Sequence, residues 1–124
     1  MQNPDAVLYG IPNCNTVRSA RAWCDAHGLA YRFHDFKKHG VPAHELGQWL
    51  QAVGPQAVVN KRGTTWRQLD DAAREALGDP SRIAGVLQAY PSIIKRPVVD
   101  WGDNARPRYT VGFDEAHWSS RLPA

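Results

Sequence analysis

Cys14 is the residue whose surroundings best suit chemistry. It follows a short apolar run (Ala6, Val7, Leu8, Tyr9) and a turn containing Gly10 and Pro12, and it opens a helix-like segment over residues 15–27. A thiol at the N-terminal end of a helix faces unpaired backbone N–H groups and the positive end of the helix dipole, and both favour the thiolate. Arg18, one turn further on, adds a positive charge. Most reduced cysteines are buried small hydrophobes; the coincidence of strand, turn, helix start and cation here points to a nucleophile instead.

Cys24 lies on the same helical pattern ten residues on. Helical rise and rotation put it ~15 Å away and ~80° around the axis, so no unstrained disulfide joins the two within an intact helix. Cys24 is expected in the core. Zinc chemistry lacks a pattern: there is no C-x-x-C and no H-x-x-x-H, and the histidines at 27, 34, 39, 44 and 117 are scattered without ligand spacing.

The formal charge of +3 comes from eleven arginines and four lysines set against twelve acidic residues. No compact basic run interleaves with aromatics, as a nucleic-acid stacking surface would require, so nucleic acid is not an expected partner. Arginine does suit planar oxyanions, which its fork binds through two parallel hydrogen bonds. No secretory pattern and no apolar run near ~18 residues occurs, and two unbridged thiols fit a reducing compartment. The expectation is a cytoplasmic protein without membrane contact, and 124 residues fit one domain, acting as a monomer.

The elements that must position Cys14 are legible from periodicity. Residues 6–9 read as a buried strand, 15–26 as an amphipathic helix stopped by Gly28, and 31–36 as an alternating strand. A crossover of this length implies that these two strands are parallel. Helices are predicted at 42–53, 67–77 and 80–90, the last capped by Asp79. The apolar, β-branched segment 93–99 and the segment 108–113 should form an antiparallel hairpin around a turn at Gly102, Asp103 and Asn104. A final helix, with Asp114 as candidate cap, runs to Leu122.

A β-α-β unit followed by a β-β-α unit, with a cysteine after the first strand and an X-Pro before the third, resembles the thioredoxin fold. Three motifs narrow the resemblance: Tyr9-Gly-Ile-Pro-Asn-Cys14-Asn-Thr-Val-Arg18, Asn60-Lys-Arg-Gly-Thr-Thr-Trp-Arg67-Gln-Leu69 and Ile93-Ile-Lys-Arg96-Pro97-Val98-Val99. In that order, over roughly residues 6–122, they resemble the arsenate reductase (ArsC) and Spx family, and within it the YffB-type branch. The resemblance implies an α/β, thioredoxin-like domain with a helical insertion between the second and third strands. It also implies a thiolate that attacks an oxidised substrate, arsenate or a disulfide, while arginines hold the anion.

The departures from the family pattern shape the expected activity. Arsenate-reducing members carry a histidine where this chain has Gly10, and a Gly-Thr-Ser-Arg run where it has Asn15-Thr16-Val17-Arg18. Of their three oxyanion arginines, Arg96 is kept, one falls on Asn60 and one near Gly112, while Arg62 matches an arginine of the Spx and YffB-type branches. Lys61, Arg62, Arg106 or Arg108 would have to complete the cage. Spx regulators usually carry C-x-x-C at the first site, and here Val17 stands in place of the second thiol.

The expectation is therefore a monothiol, glutathione-linked thiol–disulfide oxidoreductase with Cys14 as nucleophile and no tightly bound cofactor. Glutathione is the co-substrate and a glutaredoxin the alternative reductant. Asn13, Asn15, Thr16, Arg18, Arg62, Arg96, Pro97 and Arg108 form the candidate substrate- and anion-binding set, with a cis Arg96–Pro97 bond beside Cys14. Two alternatives stand beside it: an arsenate reductase, and a Spx-like protein-binding regulator without catalysis.

Overall fold

A computed structural model describes residues 6–122. The chain divides into two compact units. One comprises the segment ending at His34 together with that starting at Arg96, and the other is the intervening Asp35–Lys95.

The first unit carries a four-stranded sheet in the order β2-β1-β3-β4. Its elements are β1 (Ala6–Gly10), α1 (Asn15–Ala26), β2 (Tyr31–Asp35), β3 (Val98–Asp100), β4 (Tyr109–Val111) and α8 (Glu115–Ser120). β1 pairs antiparallel with β3 in the register Leu8 to Val99, and β3 pairs antiparallel with β4 in the register Asp100 to Tyr109. β2 lies beside β1 and is joined to it through α1, the connection that a parallel pair needs.

The alternation of β1 and the stripe of α1 meet in one core of Leu8, Val99, Ala20, Trp23, Cys24 and Trp118. Trp118 anchors α8 there, edge-on to the rings of Trp23, Trp101 and Phe113 at centroid distances of 5.5, 5.1 and 4.7 Å. Edge-to-face packing of this kind adds to the area that the indole buries.

The second unit is helical: α2 (Phe36–His39), α3 (Ala43–Val53), α4 (Pro55–Val58), α5 (Thr64–Gln68), α6 (Asp71–Leu77), α7 (Ile83–Ala89) and a 3-10 turn at Pro91–Ile93. α3 contributes Leu46 and Trp49 to its buried interior, and α7 contributes Ile83 and Leu87. The thioredoxin-like α/β architecture and the helices between the second and third strands are as the sequence implies.

Local chemistry moves several boundaries. Phe36 leaves the strand because the Asp35 carboxylate accepts the Lys37 N–H at 2.8 Å and starts α2. The helix predicted over 67–77 is two, because Asp70 accepts the Ala73 N–H at 2.8 Å and caps a new start. Asp79 caps no helix: it takes the Ser81 N–H and hydroxyl at 2.9 and 2.8 Å in a turn, and α7 begins only at Ile83. Residues 93–99 are not one strand either. Ile94 bridges to Val59 within the helical unit, and β3 starts at Val98, after Pro97, which has no N–H to give a ladder. Asp114 does cap α8, accepting the His117 N–H at 3.1 Å.

Candidate functional site

The site is built where β1 ends and α1 begins. Cys14 is the N-cap of α1, in extended conformation (φ −140°, ψ 127°), and is half-buried. No side-chain cap bond closes this end of the helix, so its first N–H groups act on the sulfur as open dipoles. Burial pushes the thiol up, but four contributions together outweigh it: the Val17 N–H, a hydrogen bond from the Arg96 guanidinium, the charge of Arg96, and the Thr16 N–H. The result is a thiol held below its ordinary value. Cys24 is the opposite case. It is fully buried, and burial followed by the charge of Asp25 pushes it up to about 11.

Arg96, whose guanidinium reaches the sulfur, lies just ahead of β3. The Arg96–Pro97 bond is cis, Pro97 is fully buried, and its carbonyl accepts the Gly112 N–H at 2.9 Å. Gly112 has φ +82°, a conformation that favours glycine. On the opposite side, a Cβ on Gly10 would lie 3.0 Å from Val17 Cγ2 and 3.8 Å from Arg96 Cβ. Gly10 thus lets β1, the first turn of α1 and the Arg96 stem converge behind Cys14. Sequence reasoning missed this role, although a glycine ending an apolar strand signals close backbone approach.

The remaining candidates divide. Arg18 is exposed, and its guanidinium donates to Asn15 Oδ1 at 2.9 Å and to Asn13 Oδ1. The two asparagines therefore hold a cation beside the helix start, with their carbonyl oxygens turned to Arg18 and not toward the thiol. Thr16 contributes its N–H. The cation hydrogen-bonded to Cys14 is Arg96.

Arg108 is a correction. Its Nε and Nη2 donate to the two Asp100 carboxylate oxygens at 2.8 and 3.0 Å, and its Nη1 lies 2.8 Å from Asp103. This fork-to-carboxylate pair staples the β3–β4 hairpin, and the guanidinium is no longer offered to an external anion. Arg106 likewise donates to the Asp103 and Ala105 carbonyls at 2.8 and 2.7 Å. Arg62 is exposed in the helical unit, with its backbone N–H donated to Asn60 Oδ1 at 3.0 Å. Among the described residues, no group of three His, Cys, Asp or Glu converges as metal ligands would, and no helix is long and apolar enough to cross a membrane.

A thioredoxin-like sheet with a lowered thiol at the first helix start and an arginine–cis-proline pair ahead of β3 defines a class of thiol-based proteins. The ArsC family model matches residues 9–120, and the chain belongs to that family. The solved structure of the YffB protein superposes with a TM-score of 0.85 at 41% identity, covering 95% of this chain and 99% of that one. An ArsC-related protein from Brucella melitensis gives a TM-score of 0.70 at 34% identity, covering 98% and 97%. The global transcriptional regulator Spx of Streptococcus mutans is 26% identical over 118 residues, 94% of this chain and 82% of that protein.

Proposed function

We propose that this protein is a monothiol, glutathione-linked thiol–disulfide oxidoreductase with Cys14 as its nucleophile. The observation that carries the reading is the lowered Cys14 thiol, set at an open helix start with the Arg96 guanidinium against it. The Cys14 thiolate attacks the glutathione sulfur of a mixed disulfide between glutathione and another protein's thiol. A Cys14–glutathione bond forms, the old S–S bond breaks, and the other half leaves as a thiolate. A second glutathione, or a glutaredoxin, then attacks the glutathione sulfur of the mixed disulfide and returns Cys14 to the thiolate.

Two features support a single-thiol cycle: Val17 occupies the position of a second thiol, and Cys24 is buried and hard to ionise. Arg96, together with the asparagine-held Arg18, supplies positive charge for the carboxylates of glutathione. We place this chemistry in the reducing cytoplasm. Arsenate ranks lower as substrate. Each arginine missing from an oxyanion cage forfeits a charge-assisted bond of about 1.5–3 kcal/mol, and Arg108 is committed to Asp100.

Intact mass after treatment with oxidised glutathione tests the reading. One glutathione adduct is expected on wild type and on Cys24→Ser, and none on Cys14→Ser. An adduct that persists in Cys14→Ser, or no adduct on wild type, refutes it. The match to Spx favours a second reading, a protein-binding regulator. A partner that co-purifies equally with Cys14→Ser would bring that reading to the front.

A further inference from the structure

Within the helical unit, a cavity of about 580 Å³ opens between α3, α4, α6 and the start of α7. Its wall is largely apolar, with Leu50, Val59, Leu77 and Ile83 set around Trp66. Two cations share that wall, Lys61 and Arg74, and among the described residues no acidic side chain lines it. Both cations are drawn to the same indole: Lys61 Nζ lies 5.4 Å and Arg74 Cζ 5.3 Å from the Trp66 ring centre. Their charges are therefore separated by at most on the order of one Debye length and repel.

Neither charge has a carboxylate partner among the described residues. Two neighbouring acids face other duties, Asp70 capping α6 and Asp79 holding Ser81. Arg74 Nη2 donates to the Trp66 and Arg67 carbonyls at 3.1 and 3.2 Å, while its Nε is buried with no acceptor. A buried guanidinium N–H without an acceptor is costly, and an entering anion would satisfy it while offsetting the repulsion between the two cations.

We propose that this cavity is a binding site for a small amphipathic carboxylate, an apolar body seated between Leu50, Val59 and Ile83 with its carboxylate between Lys61 and Arg74. The volume falls in the range of small-molecule pockets, and an apolar wall with a few convergent polar groups is their usual make-up. The site is separate from Cys14 in residues and in unit.

The test is a titration of the intact protein with sodium octanoate, followed by two-dimensional amide and indole NMR, with octylamine as the chain-matched cation. Octanoate is expected to shift the Trp66 indole and the Val59 and Leu77 amides saturably in the sub-millimolar range, while octylamine leaves them unmoved. Lys61→Glu, a change at an exposed side chain, should weaken octanoate at least tenfold. Cys14→Ser should bind octanoate as wild type does, which separates this site from the thiol chemistry. Equal response to octanoate and octylamine, no saturation by 10 mM, or unchanged octanoate binding in Lys61→Glu would overturn the proposal.

Discussion

At Cys14 the outcome is decided by a balance of opposing effects. Burial alone would make this half-buried thiol less acidic than a free one, as it does for the fully buried Cys24. The helix-start N–H groups and Arg96 reverse the sign. Arg96→Gln removes the charge and a good part of the hydrogen bonding, so the midpoint of the Cys14 alkylation rate against pH should move upward, with a several-fold slower reaction at pH 7. Iodoacetamide kinetics on the Cys24→Ser background isolate that thiol. An unmoved midpoint would show that the N–H groups suffice and that Arg96 serves only the substrate. The nucleophile was legible in the sequence because strand, turn and helix start are local patterns. Its cation was not legible from local pattern, which offered Arg18; Arg96 was placed beside Cys14 by the family resemblance alone, and it arrives there through the pairing of β3 with β1.

Elements set the limits within which these residues act. Gly10 closes β1 with no room for a side chain on the side of α1, and Val17, which its Cβ would meet at 3.0 Å, is fully buried and unable to retreat. Gly10→Ala should cost about 1–3 kcal/mol by overpacking and disturb the Val17 N–H that acts on Cys14. Urea denaturation and the alkylation profile should change together; a loss below 0.5 kcal/mol would mean that α1 shifts freely. The hairpin carries its own staple. Burial pushes the Asp100 carboxyl up, but the Arg108 hydrogen bonds, the Gly102 N–H and the Arg108 charge outweigh it and leave the group below the usual carboxylate range.

Asp100→Asn should cost about 1 kcal/mol at pH 7, the low side for charged hydrogen bonds, because the Arg108 side chain is 36% exposed. A carboxyl lowered by folding stabilises the native state above its unfolded value of ~3.9, and that contribution is lost as pH falls through the folded value. The difference between wild type and Asp100→Asn should therefore shrink on acidification below about pH 4. Thermal denaturation from pH 7 to 3 checks both the size and the sign. Element types were largely legible, while three boundaries failed where an aspartate took a nearby N–H in a way that periodicity does not show. Asp35, Asp70 and Asp79 each redirect the chain within two or three residues, and hydrophobic periodicity carries no record of that competition.

Across the whole chain, the two thiols are kept apart by the element they share. Cys14 caps α1 and Cys24 lies within it, so the helix holds them ~15 Å apart along its axis, far beyond the Cα separation a disulfide spans. Bridging them would require unwinding the middle of α1, which packs Ala20 and Trp23 into the core against Leu8, Val99 and Trp118. Removing one such tryptophan contact set costs about 3–5 kcal/mol, and closing a loop of this size returns about 3 kcal/mol at most. The balance is unfavourable even before the lost helical hydrogen bonds are counted. Ellman's reagent should therefore find one fast thiol in the native protein and two in denaturant, with Cys14→Ser removing the fast one. Diamide treatment of glutathione-free protein should give no monomer lighter by two hydrogens. Such a species would show that α1 opens readily, which would make Cys24 a resolving thiol and end the single-thiol cycle.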